Sequence, residues 1–225
     1  SRVSRGLGDV YKRQGPDTHT NFPWGWAMAA NTPLKRYKQN THGGGIRDPL
    51  VISWPAKVPS DGSVREQFCH VSDLAPTIFD LIGVTARPST VAGTAGVSFA
   101  ATLFDADAQT SKDIQYFEMF GHRGLVHDGW KAVAYHKPGT SFEEDEWELY
   151  HLDHDFNETQ NLAAAEPERL HVLQTLWWQQ AEANQVLPLD DRFAPRFAEN
   201  AERHRGGRTH YCLLYTSDAA DDTCC

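Results

Sequence analysis

"YKQNTHGGGIRDPLVISWP", residues 37–55, joins two cations, three consecutive glycines, an Arg-Asp-Pro corner and an apolar run closed by proline. Glycines have no Cβ, so the turn at Gly43–Gly45 can be tight and can approach other backbone closely. Leu50 to Trp54, bounded by Pro49 and Pro55, reads as a strand buried on both faces. The turn thus lies between Lys38 and a strand that would anchor it in a sheet.

Downstream, "HVSDLAPTIFDLIGV" predicts a helix. Ser72 or Asp73 can cap it, Pro76 falls in its first turn, Leu74, Ile78, Leu81 and Ile82 form one apolar stripe, and Gly83 ends it. A strand followed by a helix suggests an α/β layer. Upstream, residues 15–36 are rich in Pro, Gly, Asn and Trp and read as a long loop with one short helical turn. Loops of that length in a compact domain are usually functional.

The character of the chain changes after about residue 110. "IQYFEMFG", "RGLVHDGWKAVAYH" and "WELYHLD" read as strands, and Asp128-Gly129 is a hairpin signal because both positions accept positive φ. Residues 166–184 form an amphipathic helical pattern with Pro167 in the first turn and Leu170, Leu173, Trp177 and Ala181 on one face. The expectation is a small antiparallel sheet with that helix packed on it, followed by an extended tail over 188–211.

The two ends read differently. Codons that can encode "DVYKRQ" (residues 9–14), reverse-complemented and read in a shifted frame, give "CLLYTS" (residues 212–217). That relation, and the likeness of both ends to translated transposon-adapter DNA, mark 1–14 and 212–225 as segments to set aside. Cys212, Cys224 and Cys225 go with them, so Cys69 remains and no disulfide framework is implied. The head carries four basic residues and one acid and the tail three acids, so the formal charge of −9 is unchanged. That balance argues against a nucleic-acid partner, which would need a basic face. No apolar run approaches the roughly 20 residues that span a bilayer.

Four segments in order resemble the sulfatase family of the alkaline-phosphatase superfamily: "WAMAANTPLKRYKQNTHGGGIRDPLVISWP", "HVSDLAPTIFDLIGV", "MFGHRGLVHDGWKAV" and "WELYHLDHDFNETQNLA". The first is most similar to bacterial arylsulfatases. The resemblance implies an α/β fold: the C-terminal part of an alkaline-phosphatase-like sulfatase fold over 15–110, then over 111–187 a small antiparallel sheet with a packed C-terminal helix. It implies hydrolysis of a small-molecule or carbohydrate sulfate ester. The nucleophile would be a formylglycine, made from a Cys or Ser in a C/S-x-P-x-R motif and acting with calcium held by Asp and Asn side chains. A family lysine contacts the sulfate oxygens nine residues before the Arg of G-G-x-R, and Lys38 stands nine residues before Arg47. An ammonium placed there stabilises the negative charge that shifts as the sulfuryl group transfers. The chain departs from the family pattern at Gly43, where an acid is usual, and at His42, where threonine is common. His42 is thus a second candidate for contact with substrate.

The same resemblance places the nucleophile motif and the metal ligands upstream; neither is found in 15–211. "SWPAK" (53–57) fits S-x-P-x-R only with Lys for Arg and directly follows the strand, so it reads as structural. Cys69 reads as a buried small apolar residue, His151 and His154 as strand residues whose side chains diverge, and the acidic run at 143–148 as a solvated hairpin edge. Asp190-Asp191 reads as polar tail, His122 and Arg123 as the start of a strand, and Lys35 as an inert surface cation. Two other functions fit the residues: hydrolysis of a phosphonate or phosphate ester, since one lysine does not tell tetrahedral oxyanions apart, and a binding module holding a sugar or aryl ligand on Phe22, Trp24 and Trp26.

Overall fold

The computed structural model describes residues 23–59, 62–84, 96–110 and 112–192. The segments set aside at both ends, Phe22 and the tail beyond 192 lie outside them.

The first described part holds three helices: α1 (Trp24–Ala30), the single turn α2 (Gly43–Ile46) and α3 (Leu74–Ile82). A 3-10 turn, Val71–Asp73, leads into α3. There the Asp73 carboxylate accepts from the His70 N–H at 2.7 Å, and His70 Nδ1 accepts from the Ser72 N–H at 3.3 Å. Gly83 ends α3 at φ 70°, a left-handed C-terminal position suited to glycine. The second part is a four-stranded antiparallel meander, β1 (Ile114–Met119), β2 (His122–His127), β3 (Trp130–Ala134) and β4 (Trp147–His151), followed by α4 (Pro167–Ala183).

The hairpin between β2 and β3 turns on Asp128 and Gly129, both at positive φ (48° and 73°), as their residue types predict. The register pairs Leu125 with Ala132 and Ala132 with Leu149. Cross-strand partners share a face, so these three line one side of the sheet. There they form the core with Leu173, Trp177 and Ala181 of α4. The Trp177 indole is fully buried, and its Nε1–H donates to the Phe117 carbonyl at 3.1 Å. The expected sheet and packed helix are therefore present.

The first part departs from expectation. Leu50–Trp54 forms no strand, and Leu50, Val51 and Ile52 are exposed, Val51 by 89%. A strand needs a neighbour to take its backbone hydrogen bonds, and no described strand pairs with this segment. On α3 Thr77 is buried, as is Asp73 just before it, while Ile78 and Ile82 of the apolar stripe are exposed. Asp73 accepts from the Val97 N–H at 2.9 Å and from Lys112 Nζ at 3.1 Å, so polar contacts hold this helix to the chain that follows it. Cys69 is exposed rather than buried.

Candidate functional site

The sheet face opposite α4 carries the site. Strand alternation puts Lys131, Glu148 and Tyr150 there, and the loop from Lys35 to Arg47 lies across them. Two glycines permit the close fit. A Cβ on Gly44 would sit 2.1 Å from the Arg36 carbonyl oxygen, which no side chain tolerates. On Gly124 it would sit 3.1 Å from the Thr41 Cβ, so β2 is smooth where the loop crosses it. Thr41 Oγ1 then donates to the Arg123 carbonyl at 3.0 Å.

Two carboxylates fasten the loop. Glu158, from the turn after β4, accepts from the Gly43 N–H at 3.0 Å and from Lys131 Nζ at 2.5 Å. The Lys131–Glu158 pair is almost fully buried. Burial draws the Lys131 ammonium down to about 8, against the pull of Glu158. Glu148, on β4, accepts from Lys35 Nζ at 2.5 Å, from His42 Nε2 at 3.2 Å and from the Tyr150 hydroxyl. Burial pushes the Glu148 carboxyl up, but the donors His42, Lys35 and Tyr150 together outweigh it and hold it below the usual carboxylate range. The Tyr150 hydroxyl, desolvated and beside that carboxylate, is raised.

His42 is completely buried. Desolvation lowers its pKa despite Glu148. Facing an ionised carboxylate, Nε2 carries the proton, which leaves Nδ1 as a buried acceptor with no partner among the described residues. His42 therefore sits beneath the loop, on the sheet. Lys38 lies at the exposed tip. The other cations of the loop are engaged. Lys35 bonds Glu148 and Tyr150, Arg36 lies over the Tyr135 ring at 3.9 Å, and Arg47 lies over the Phe156 ring at 4.1 Å. Lys35, expected to be inert, is thus an anchor. Arg36 and Gln39, on either side of Lys38, hold left-handed backbone (φ 65° and 77°), a conformation that costs of order 1 kcal/mol or more per residue unless its surroundings enforce it.

The acidic run is not a solvated edge. Glu143, Glu144 and Glu146 are exposed, but Glu148 enters the site and Asp145 takes Arg123 and His136. The Arg123 and His136 side chains are buried on this pairing, and Asp191 closes the cluster by accepting from the Gly139 N–H at 2.6 Å. His122 Nδ1 accepts from the His136 N–H at 2.9 Å. Burial, then the charges of Arg36 and other neighbours, draw His122 down to about 4. The His151 and His154 rings do not diverge; their centroids are 4.5 Å apart. Among the described residues no group of three or more His, Cys, Asp or Glu is placed to hold a metal ion. The resemblance itself expects the calcium ligands upstream of these residues.

The family described as N-sulphoglucosamine sulphohydrolase, C-terminal, matches residues 35–185, from the first anchor of the loop to the end of α4. The chain belongs to the sulfatase family. It is 30% identical over 183 residues to an uncharacterized sulfatase of Schizosaccharomyces pombe, covering 77% of this chain and 32% of that one. It is 27% identical over 148 residues to a sulfatase of Formosa agariphila, covering 61% and 26%. The chain thus spans about a third or less of the length of these relatives. Among solved structures, Ps i-CgsB superposes with a TM-score of 0.58 at 19% identity, over 74% of this chain and 36% of that one. The same protein is known in complex with k-i-k-neocarrahexaose. The fold is therefore that of the C-terminal part of a sulfatase, α/β with a small antiparallel sheet and a closing helix.

Glu148, Glu158 and Lys131 were not singled out from sequence. For Glu148 and Lys131 the signal is the polar side of the strands: "WELYH" alternates inward Leu149 with Glu148 and Tyr150, a pattern that ordinarily marks a solvated face, and Glu158 lies in a turn with no such signal.

Proposed function

We propose that the complete protein hydrolyses a sulfate monoester of an aryl or carbohydrate alcohol, and that Lys38 binds the sulfate group. The observation that carries this reading is the contrast within one loop: Lys35, Arg36 and Arg47 are engaged, while Lys38 is exposed and its side chain has no partner among the described residues. A compact ammonium with three donors, held at a fixed point, suits an oxyanion whose charge grows during transfer. The rigid sheet beneath supplies the fixed point. Membership of the sulfatase family supports the sulfate ester as substrate, and the Ps i-CgsB complex supports a carbohydrate version of it. The formylglycine nucleophile and calcium belong to this proposal as contributions of the rest of the protein.

The test is turnover of p-nitrophenyl sulfate by the full-length, formylglycine-matured protein. Loss of a pre-organised donor of this kind costs about 10²–10³ in rate, so Lys38→Ala should lower kcat/KM by that factor. Lys38→Arg should recover only part of it, because a planar fork does not occupy the same point. Lys137→Ala is the control, since Lys137 is exposed on the β3–β4 connection. Equal behaviour of Lys38→Ala and Lys137→Ala would remove Lys38 from the site. Faster turnover of p-nitrophenyl phosphate than of the sulfate would favour a phosphate ester as substrate.

A further inference from the structure

We propose that Glu148 is a positioning residue for Lys38, a single carboxylate on β4 that ties down both ends of the loop presenting the ammonium. This rests on the reading of Lys38 as the sulfate contact. Lys35 precedes Lys38 by three residues and His42 follows it by four. Glu148 Oε2 takes Lys35 Nζ at 2.5 Å, and Oε1 takes His42 Nε2 at 3.2 Å. The two oxygens of one side chain therefore close the loop into a ring whose free point is Lys38.

The carboxylate is itself oriented. The Tyr150 hydroxyl donates to Oε2 and also accepts from Lys35 Nζ at 2.7 Å, so the Lys35 end is held at two points. Inside the ring, Asn40 Nδ2 donates to the Tyr37 carbonyl at 3.0 Å, which supports the tip from within. The left-handed backbone at Arg36 and Gln39 shows that the loop does not hold this shape by local preference. Glu158 fastens the chain only on the C-terminal side, at Gly43. Asn31 Nδ2, donating to the Arg36 and Gly44 carbonyls at 3.1 and 2.7 Å, and the Gly44 N–H, donating to the Lys35 carbonyl at 2.8 Å, also join the two sides; Glu148 fixes the side chains of both sides to the sheet. Losing its charge leaves Lys35 Nζ with the Tyr150 hydroxyl alone and weakens the one described side-chain bond of His42, and the ammonium is then no longer confined to one position.

A positioning role predicts coupling, which a merely structural role does not. The experiment is a double-mutant cycle on the full-length, matured protein, with p-nitrophenyl sulfate as probe and thermal melting as a parallel reading. Misplacing a reacting partner by about 1 Å can cost up to about 10²-fold, so Glu148→Gln should lower kcat/KM by about ten- to a hundredfold. With Lys38 already alanine, adding Glu148→Gln should change the rate by less than about twofold, the usual error of independent effects. If the two losses instead multiply, or Glu148→Gln leaves the rate unchanged, the positioning role is wrong while Lys38 keeps its assignment. If Lys38→Ala alone costs nothing, both readings fall together. Should Glu148→Gln not fold, Lys35→Met takes its place in the cycle, releasing one end of the ring, with the same outcomes on either side.

Discussion

The two described parts of this chain differ in how much of their apolar pattern they bury. In the sheet and α4, the core is Leu125, Ala132, Leu149, Leu173, Trp177 and Ala181. In the preceding part, Asn40, Thr41, His42, Asp73, Thr77 and Thr102 are buried beside Phe99, Ala100 and Leu103, while Leu50, Val51, Ile52, Ile78 and Ile82 are exposed. Both parts have the apolar patterns that predict regular structure. The difference is whether a partner lies within reach. The sheet has α4, and the apolar stripe of α3 has no comparable cover among the described residues. An apolar pattern says which face wants burial, and a second element is needed to bury it.

The largest test of this contrast is Trp177→Ala. A fully buried tryptophan at a sheet–helix interface should cost about 3–5 kcal/mol in denaturant unfolding followed by circular dichroism. A loss below about 1 kcal/mol would mean that α4 does not carry the core of the second part.

The first part should depend instead on polar contacts. Asp73→Ala removes the acceptor from two backbone N–H groups, those of His70 and Val97, and takes the carboxylate from Lys112. The cost should be about 1–3 kcal/mol, the usual penalty for leaving buried donors unmatched. A neutral result would mean that α3 is not held by this carboxylate.

The junction between the parts should respond to acid. His122 has its pKa drawn down to about 4 from 6.5 because it is desolvated beside Arg36 and accepts a backbone hydrogen bond at Nδ1. The unfolded chain binds that proton more readily than the folded one. This contribution to stability is thus present above about pH 6.5 and is lost as pH falls towards 4. His122→Gln should flatten that part of the stability profile, and an NMR titration should find the ring neutral at pH 5.5. A His122 midpoint at its ordinary value would remove it from the acid response.

The smallest effects belong to the exposed apolar residues. Val51→Ser and Ile78→Ala should each change the stability of this chain by no more than about 0.5 kcal/mol, as surface changes usually do. A loss above about 2 kcal/mol in the same unfolding assay would show that those side chains are covered after all.

What the sequence determined by itself is the set of local decisions. Alternation and turn chemistry placed the four strands and the Asp128-Gly129 hairpin, and Gly83 and Pro167 marked the end of α3 and the start of α4. The spacing from Lys38 to Arg47 selected the loop. These signals lie within a few residues of what they specify. Tertiary structure decided the rest. Lys35 and Glu148 are 113 residues apart, and Gly43 and Glu158 are 115 apart, so no local pattern announces either contact. Lys35 became an anchor, Asp145 and Glu148 left the solvated run for ion pairs, and His42 went under the loop. Leu50–Trp54 has a strand's composition without a strand's structure, because backbone hydrogen bonds in a sheet come from a neighbour. Local propensity acts along the chain, whereas burial and ion pairing depend on which distant segment arrives, and only the folded arrangement decides that.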